Sequence, residues 1–170
     1  MAGYIGNRRQ NNLVSLTGAT GTISDNVVFP AGHIIDFKTA TITNEIGSLS
    51  NDVWFNTGLS ASITPKYTNS KIYIISHAGV ATTTTLHNAL KVVRTGPATA
   101  DLSIQSTYNS TGYANGLGTY TAYDSPNTDS VECTYTLHLY VDNNANSQYF
   151  YNYDFQFAST ATLSLMEIKQ

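Results

Sequence analysis

The feature that most constrains this chain is a period-two alternation of apolar and polar residues between residues 57 and 82. Successive side chains of a β-strand point to opposite faces of the sheet, so this pattern predicts two strands, each with one buried face. The residues on the two apolar faces are Leu59, Ala61 and Ile63, then Ile72, Ile74, Ser76, Ala78 and Val80. Pro65 ends the first strand because it lacks an amide proton, and Asn69 and Ser70 are expected to close a turn through side chain to backbone bonds. We therefore predict a β-hairpin at the centre of the fold.

Further strands are predicted on both sides of this segment. Residues 27–43 give a short strand, a turn at residues 30–32 and a longer strand, on which Ile35, Phe37, Thr39 and Thr41 share a face. The cleanest alternation lies at residues 131–142, where the inward set is Val131, Cys133, Tyr135, Leu137, Leu139 and Val141. Residues 149–157 form an aromatic ladder of Tyr149, Tyr151, Tyr153, Phe155 and Phe157. Residues 162–169 form a last strand, and the single tryptophan, Trp54, is expected in the core or at a subunit interface.

Two segments have a less regular pattern. Residues 86–94 fit a helix face through Ala89 and Val93, and they also fit a strand face through Leu90 and Val92. We predict a hairpin that turns at residues 95–97, because the rest of the chain is β-like. Residues 105–130 are the most irregular and are predicted to be a long loop, which in compact domains is usually functional or disordered. Its candidate receptor- or partner-facing residues are Tyr108, Asn109, Tyr113, Asn115, Tyr120 and Tyr123.

Composition supports the same fold class. Charged residues make up 11% of the chain, about half of the usual share, while there are 24 Thr, 16 Ser and 16 Asn. Short strands with turns at regular intervals predict an all-β protein, an antiparallel β-sandwich of jelly-roll-like type with an extended N-terminal arm. We place this arm at residues 1–26 and a single β-sandwich domain at residues 27–170. The arm contains the candidate anchoring residues Tyr4, Ile5, Arg8 and Arg9.

The residues point away from several classes of function. The net charge is −3 and no basic block occurs, so no nucleic-acid partner is expected. Cys133 is the only cysteine and is expected to be a buried thiol. No apolar run has membrane-spanning length. The four histidines lack metal-ligand spacing, and no GxSxG or phosphate-binding loop is present, so we predict no enzyme activity, no metal and no cofactor. Asp124, Asp129, Glu132 and Asp142 are the densest carboxylates and are expected to be solvated loop charges.

Several stretches carry a resemblance to a known group. The opening MAGYIGN, the segments NVVFPAGHII and SITPKYTNSKIYI, and the terminal LSLMEIK resemble small structural and fibre-type proteins of tailed bacteriophages, marine and cyanobacterial ones in particular. The resemblance covers most of residues 1–82 and the last strand. It implies a virion protein with a jelly-roll-like head, similar to the trimeric heads of tumour-necrosis-factor type. In such a homotrimer, the aromatic ladder from Tyr149 to Phe157 would line the subunit contact.

The resemblance leaves two structural functions open. One is a tail fibre or appendage module on the exterior of the virion, made in the bacterial host cytoplasm and involved in host attachment, with a host surface glycan as a possible ligand of the Tyr- and Asn-rich loop. The other is a capsid decoration protein that stabilises the head shell. Both imply contacts with other virion proteins of the tail or capsid. The short arm and the absence of a repeat stalk in the sequence favour decoration, whereas the loop favours attachment.

Overall fold

The computed structural model of the chain describes residues 14–17, 20–23, 29–43, 53–82, 86–109, 114–141, 148–150 and 160–170. The chain divides into two compact units, Met1–Pro30 and Ala31–Gln170. All regular structure in the described residues is β, and the strands pair antiparallel throughout. The all-β prediction is therefore confirmed.

Twelve strands lie in the described part of the chain. They are β1 Val14–Thr17, β2 Thr20–Ile23, β3 Ile34–Ile42, β4 Val53–Ile63, β5 Lys71–Thr82, β6 Leu86–Thr95, β7 Ala100–Asp101, β8 Gln105–Asn109, β9 Ala114–Asp124, β10 Cys133–Val141, β11 Gln148–Phe150 and β12 Ala161–Ile168.

The first unit contains a hairpin where an extended arm was predicted. Strands β1 and β2 pair with Val14 opposite Ile23 and Thr17 opposite Thr20. The candidate anchoring residues Tyr4, Ile5, Arg8 and Arg9 lie outside the described residues. Their role stays a prediction.

The described strands of the second unit make eight antiparallel pairings. Five of them join β3 with β12, β4 with β10, β5 with β9, and β6 with both β7 and β8. In the other three, β10 pairs with β6, and β12 and β11 both pair with β5. In what we call the first sheet the strand order is β4-β10-β6-β7, with β8 also on β6. In the second sheet β5 lies between β9 and β12, β12 lies between β5 and β3, and β11 also pairs with β5. If β7 and β8 are taken as one strand and β11 as a short addition beside β5 on the same side as β12, eight strands remain. We number these eight strands 1 to 8 along the chain, in the order β3, β4, β5, β6, β7 with β8, β9, β10 and β12. Their order is then 2-7-4-5 in the first sheet and 1-8-3-6 in the second, which is the order of a jelly roll.

The predicted central hairpin is wrong, although both of its strands exist. Strand β4 belongs to the first sheet and β5 to the second, so the connection between them crosses from one sheet to the other. A hairpin and a crossover require the same alternation, because each strand buries one face in either arrangement. Strand β4 forms its backbone hydrogen bonds with β10, and β5 forms its own with β9. Both partners lie far along the chain.

A buried carboxylate holds this crossover in place. Glu167 is fully buried on β12, and its Oε1 accepts bonds from the Lys66 amide at 2.7 Å and from the Ser70 hydroxyl at 2.6 Å. Asn69 donates to the carbonyl of Gln170 at 3.2 Å. Asn69 and Ser70 thus tie the crossover to the last strand and to Gln170 through their side chains. The local turn is closed by the backbone, where the Ser70 amide donates to the Tyr67 carbonyl at 3.0 Å.

The core lies between the inner faces of the two sheets. The strand faces predicted to be buried are confirmed for β4, β5 and β10, and β12 adds a further row from its middle position in the second sheet. Core residues include Leu59, Ala61, Ile63, Ile72, Ile74, Ala78, Leu90, Val92, Cys133, Tyr135, Leu137, Leu139, Leu163 and Leu165. Val131 is an exception to the predicted inward set, because it precedes β10 and is 44% exposed. The side chain of Val141 lies outside the described residues.

The segment at residues 86–101 is the predicted hairpin and not a helix. Strands β6 and β7 pair with Val93 opposite Asp101, and Leu90 and Val92 face the core. Gly96 has a φ of 128°, in the turn between the strands, and a Cβ there would collide with the Glu132 carbonyl oxygen. Glycine is therefore required at this position for both conformational and steric reasons.

The prediction of a long loop at residues 105–130 is wrong for most of its length. Strands β8 and β9 occupy Gln105–Asn109 and Ala114–Asp124, and β9 pairs with β5 along its whole length. Glycine and tyrosine obscured the alternation here, because glycine lacks a side chain and tyrosine occurs on both faces. The segment at residues 125–132 remains irregular, with positive φ angles at Asn127 and Ser130.

Candidate functional site

The outer face of the second sheet carries an aromatic and aliphatic row that crosses four strands. Tyr123 lies opposite Tyr73, Tyr73 opposite Met166, and Met166 opposite Phe37. We call these four residues the stripe. The rings of Tyr73 and Tyr123 stack with centroids 4.6 Å apart, while Phe37 is 52% exposed and Tyr123 is 64% exposed. The stripe is thus a ridge of large side chains whose two ends are accessible to solvent.

The two rows on one side of the stripe contain no formal charge at neutral pH, whereas the row on its other side contains Lys71. Together with the stripe, the two neutral rows form a twelve-residue surface, which we call the neutral face. It consists of Phe37, Thr39, Thr41, Tyr73, Ile75, His77, Thr119, Thr121, Tyr123, Thr162, Ser164 and Met166. The Thr39 and Ser164 hydroxyls lie 3.3 Å apart, and the Thr119 hydroxyl lies 3.1 Å from His77 Nδ1. Six of the eight side chains in the two neutral rows are Thr or Ser, which are shorter than the side chains of the stripe.

A second cluster lies on the outer face of the first sheet, around Trp54. The rings of Trp54 and Tyr140 lie 5.4 Å apart, and Lys91 Nζ lies 4.5 Å from the centroid of the Trp54 ring. Lys91 also forms an ion pair of 2.6 Å with Asp101. Trp54 is half-buried on this outer face and is not a core residue, so of the two predicted locations only the subunit interface stays open. Burial and the nearby Lys91 charge lower the pKa of His138, which lies opposite Lys91 in the register.

A cleft of about 500 Å³ opens beside β3. Its lining residues are Asp36, Lys38, Ser62, Ile63, Thr64, Pro65, Lys66, Ser130 and Glu132. Lys38 lies 3.2 Å from Asp36, so this carboxylate is neutralised within the cleft. Within the part of the chain that the structure describes, no three His, Cys, Asp or Glu side chains come together as metal ligands would.

Asp124 was expected to be a solvated loop charge, and this expectation is wrong. It is buried at the end of β9, where Arg94 Nη1 donates to its two oxygens at 3.0 and 2.8 Å. The Tyr135 hydroxyl donates to Oδ2 at 2.8 Å. Burial and the Asp124 charge raise the pKa of Tyr135, which keeps this phenol protonated. Because Arg94 belongs to the first sheet and Asp124 to the second, the group joins the two sheets through the core.

Cys133 is buried and unpaired with another cysteine, as predicted. Burial raises the pKa of its thiol. The smaller electrostatic contributions have opposite signs, since Arg94 lowers this pKa and Asp124 raises it. A raised pKa disfavours the reactive thiolate. Cys133 is therefore a packing residue of the core.

The candidate loop residues are dispersed by the structure. Tyr120 is fully buried, with its hydroxyl 3.4 Å from that of Ser103, so its assignment to a receptor-facing surface is wrong. Its alternating position on β9 points inward, because Ala122 and Asp124 on the same face are also buried. Tyr123 is exposed and belongs to the stripe. Tyr108, Asn109 and Asn115 lie on β8 and β9 with side chains outside the described set, and Tyr113 lies outside the described residues.

Most of the aromatic ladder also falls outside the described residues. Tyr149 is on β11, opposite Ala81 of β5, while Tyr151, Tyr153, Phe155 and Phe157 are in the segment that the structure does not describe. The predicted subunit contact therefore stays a prediction. The stripe was missed from the sequence, although Phe37 lies on a predicted strand face and Tyr73 alternates with the predicted inward residues Ile72 and Ile74. Strand order was needed to bring the four residues of the stripe together.

Comparison with known proteins identifies the fold class. No family model and no curated protein matches the sequence. Among solved structures, the chain is similar to the infectious bursal virus protein in "The 2.6A structure of Infectious Bursal Virus Derived T=1 Particles", with a TM-score of 0.52 and 10% identity over 89% of this chain and 35% of that one. It is also similar to VP2 in the crystal structure of the infectious bursal disease virus VP2 subviral particle, with a TM-score of 0.50 and 10% identity over 91% of this chain and 36% of that one.

The fold is thus a jelly roll of the kind found in a viral capsid protein. The chain spans about a third of the length of the two chains that it matches. Neither of these neighbours belongs to a tailed bacteriophage, so the resemblance to phage proteins rests on the quoted sequence segments alone. In the described residues, no helix has the length and apolar character needed to cross a membrane.

Proposed function

We propose that this protein is a non-enzymatic structural component of a virus particle. The observation that carries the proposal is the eight-strand jelly-roll order in two sheets, together with the similarity of most of the chain to a capsid protein. Fold alone does not determine function, so the surface must support the same conclusion. The neutral face does so, because interface cores are depleted of charged residues.

The buried carboxylates also fit a structural role. Asp124 is neutralised by Arg94 inside the core, and Glu167 holds the crossover between the sheets. A catalytic carboxylate has to reach substrate, whereas these two are enclosed by the fold. Both charges therefore act in stability and strand arrangement.

For the position on the particle, the sequence resemblance supports a tail fibre or appendage module that takes part in host attachment. Host surface glycans are the ligand class that suits the Tyr- and Asn-rich segment, because aromatic rings stack on sugar faces. With Tyr120 excluded and Tyr123 placed in the stripe, the remaining candidate contacts are Tyr108, Asn109, Tyr113 and Asn115. The protein would be made in the bacterial host cytoplasm and carried on the outside of the virion.

A capsid decoration protein is the second candidate. The specific observation that favours it is the similarity to proteins described as forming T=1 and subviral particles, since these are shells. In this position the protein would contact neighbouring shell subunits. In either position we expect self-association, with a homotrimer through the segment from Tyr149 to Phe157 as the predicted form.

Labelling of intact particles tests this proposal. Antibodies raised against the purified protein, detected with gold in electron micrographs, should bind to particles in a lysate of infected host cells. Gold on tails supports the appendage, and gold on heads supports decoration. Purified particles that lack the protein by mass spectrometry would contradict the proposal in both forms.

A further inference from the structure

The neutral face differs from an ordinary solvated sheet face in two ways, its lack of charged residues and its continuous row of large side chains. Its twelve residues include no Asp, Glu, Lys or Arg, and four of them form the continuous stripe. Outer faces of sheets that remain in water usually carry charged residues. An exposed apolar row bordered on one side by neutral polar rows is the composition of a protein contact, with Lys71 at its rim.

We propose that the neutral face is a contact between two copies of this chain, which pack their second sheets against each other about a twofold axis parallel to the strands. The proposal names the partner within the proposed function and rests on it. A twofold contact uses the same surface on both copies, so the surface has to be complementary to itself. Two neutral faces meet this condition because neither copy has to desolvate an unpaired charge.

The position of the axis follows from the strand order. An axis along the strands, between β5 and β12, brings β3 of one copy over β9 of the other and keeps each row opposite the same row. Phe37 then meets Tyr123 of the second copy, and Tyr73 meets Met166. These are an aromatic pair and a sulfur–aromatic pair, both favourable in buried contacts. An axis along the stripe would instead lay the threonine rows of one copy over Lys71 of the other, which would bury a charge.

The area of the face sets the expected strength of the contact. Four strands about 4.8 Å apart, each contributing about five residues at about 3.4 Å, give a footprint of about 330 Å² per copy. Two copies together bury about 650 Å², which is below the roughly 1,000 Å² of a stable specific interface. We therefore expect a weak contact in solution, with a dissociation constant of about 0.1–1 mM, and a greater effect where many copies are held side by side in a particle.

Sedimentation equilibrium of the full chain tests the contact. The unchanged protein should show a twofold association step, additional to any trimer formed through residues 149–157, and this step should weaken at least tenfold in the Phe37→Ser/Tyr123→Ser variant. Both positions are exposed, so the variant is expected to keep its fold, which circular dichroism and thermal unfolding would verify. Ile104→Ser/Val131→Ser is the matched control, because it removes two exposed apolar side chains from outside the neutral face and should leave association unchanged.

A second pair of variants tests the centre of the face without removing apolar area. Ser164→Lys places an ammonium group beside the proposed axis and should abolish the contact, whereas Ser60→Lys on the outer face of the first sheet should not. A protein that stays monomeric at about 1 mM would overturn the proposal, since a contact with a dissociation constant of about 0.1–1 mM is populated there. Equal effects of the test and control variants would overturn it as well.

The two proposals fail in distinguishable ways. If the protein is present in particles but the Phe37→Ser/Tyr123→Ser variant associates normally, the virion role stands and this contact is wrong. If association is lost in that variant but particles lack the protein, the contact stands and the virion role is wrong.

Discussion

At the residue scale, the fold depends on a few polar groups placed inside an otherwise apolar core. Arg94, Asp124 and Tyr135 form one hydrogen-bonded group between the sheets. Burying a charge is unfavourable unless it is paired, so each member of this group depends on the others. The group also specifies which positions of the two sheets lie together, because a shift of either sheet would leave a buried charge alone.

Removal of one partner from this group should be strongly destabilising. We expect Asp124→Leu to lower the free energy of unfolding by about 3–5 kcal/mol, because Arg94 then stays buried without a counter-charge. The double variant Arg94→Met/Asp124→Leu should regain most of this loss, since no charge remains to be solvated. Urea unfolding of the three proteins measures both values. A double variant as unstable as Asp124→Leu would show that lost packing, and not the unpaired charge, is the cause.

His138 makes the stability of the protein depend on pH. Burial, and then the Lys91 charge, lower its folded pKa below the usual value of 6.5. Its contribution to stability is therefore fully present above about pH 6.5 and is lost as the pH falls through the folded pKa, because the unfolded chain takes up the proton first. Unfolding free energies at mildly acidic and mildly alkaline pH should differ less in His138→Gln than in the unchanged protein. An identical difference would mean that other groups account for the whole pH dependence.

At the element scale, the strands are defined by their buried faces, while their partners are set by the topology. Strand β12 shows this most clearly, because it is the last strand in the chain and yet lies between β3 and β5. Every other residue of β12 from Ala161 to Glu167 is buried. Glu167, at the end of this row, replaces an apolar residue and binds the crossover between the sheets.

Charges on the inward faces of the core strands should prevent folding. Ile74→Asp and Leu137→Asp each place a carboxylate at a fully buried position, at a cost of several kcal/mol, against a typical total stability of about 5–15 kcal/mol. We expect both proteins to be insoluble or unfolded on expression. Thr136→Asp is the control for Leu137, because the neighbouring residue faces outward and should tolerate the charge. Soluble Leu137→Asp protein with an unchanged melting temperature would contradict the observed strand register.

At the scale of the whole molecule, the second unit contains a complete jelly roll with its own core. The described core residues all lie after Pro30, as do the Arg94–Asp124 pair and the crossover held by Glu167. The division between an N-terminal docking arm at residues 1–26 and a β-sandwich domain from residue 27 onward stays a prediction. It leads directly to an experiment on particle attachment.

A variant that begins at Val27 should fold and self-associate but fail to join particles. The physical reason is that the proposed anchor, with Tyr4, Ile5, Arg8 and Arg9, is lost while the jelly roll retains its core. Co-purification with particles from complemented infections measures incorporation. The full-length variant Arg8→Ala/Arg9→Ala should incorporate less well, with a deficit that shrinks as the salt concentration rises, because screening also weakens the arginine contacts of the unchanged protein. Normal incorporation of the shortened protein would place the anchor elsewhere.

The sequence alone determined the fold class and much of the core. Alternation at Leu59, Ile72 and Leu137 identified the strands and their buried faces, because a strand with one buried face must have a period of two. The same rule failed for residues 105–130, where glycine and tyrosine hid β8 and β9, and the two faces of β9 could not be told apart. Tyr120 was therefore assigned to the surface when it lies in the core.

Only the tertiary structure decided which strands are neighbours. Alternation states which face of a strand is buried, but it contains no information about the strand on the other side of each backbone hydrogen bond. For this reason the crossover from β4 to β5 was taken for a hairpin, and Asp124 for a loop charge. The stripe exists for the same reason: Phe37, Tyr73, Tyr123 and Met166 come from four separate segments, and only the sheet order places them in one row.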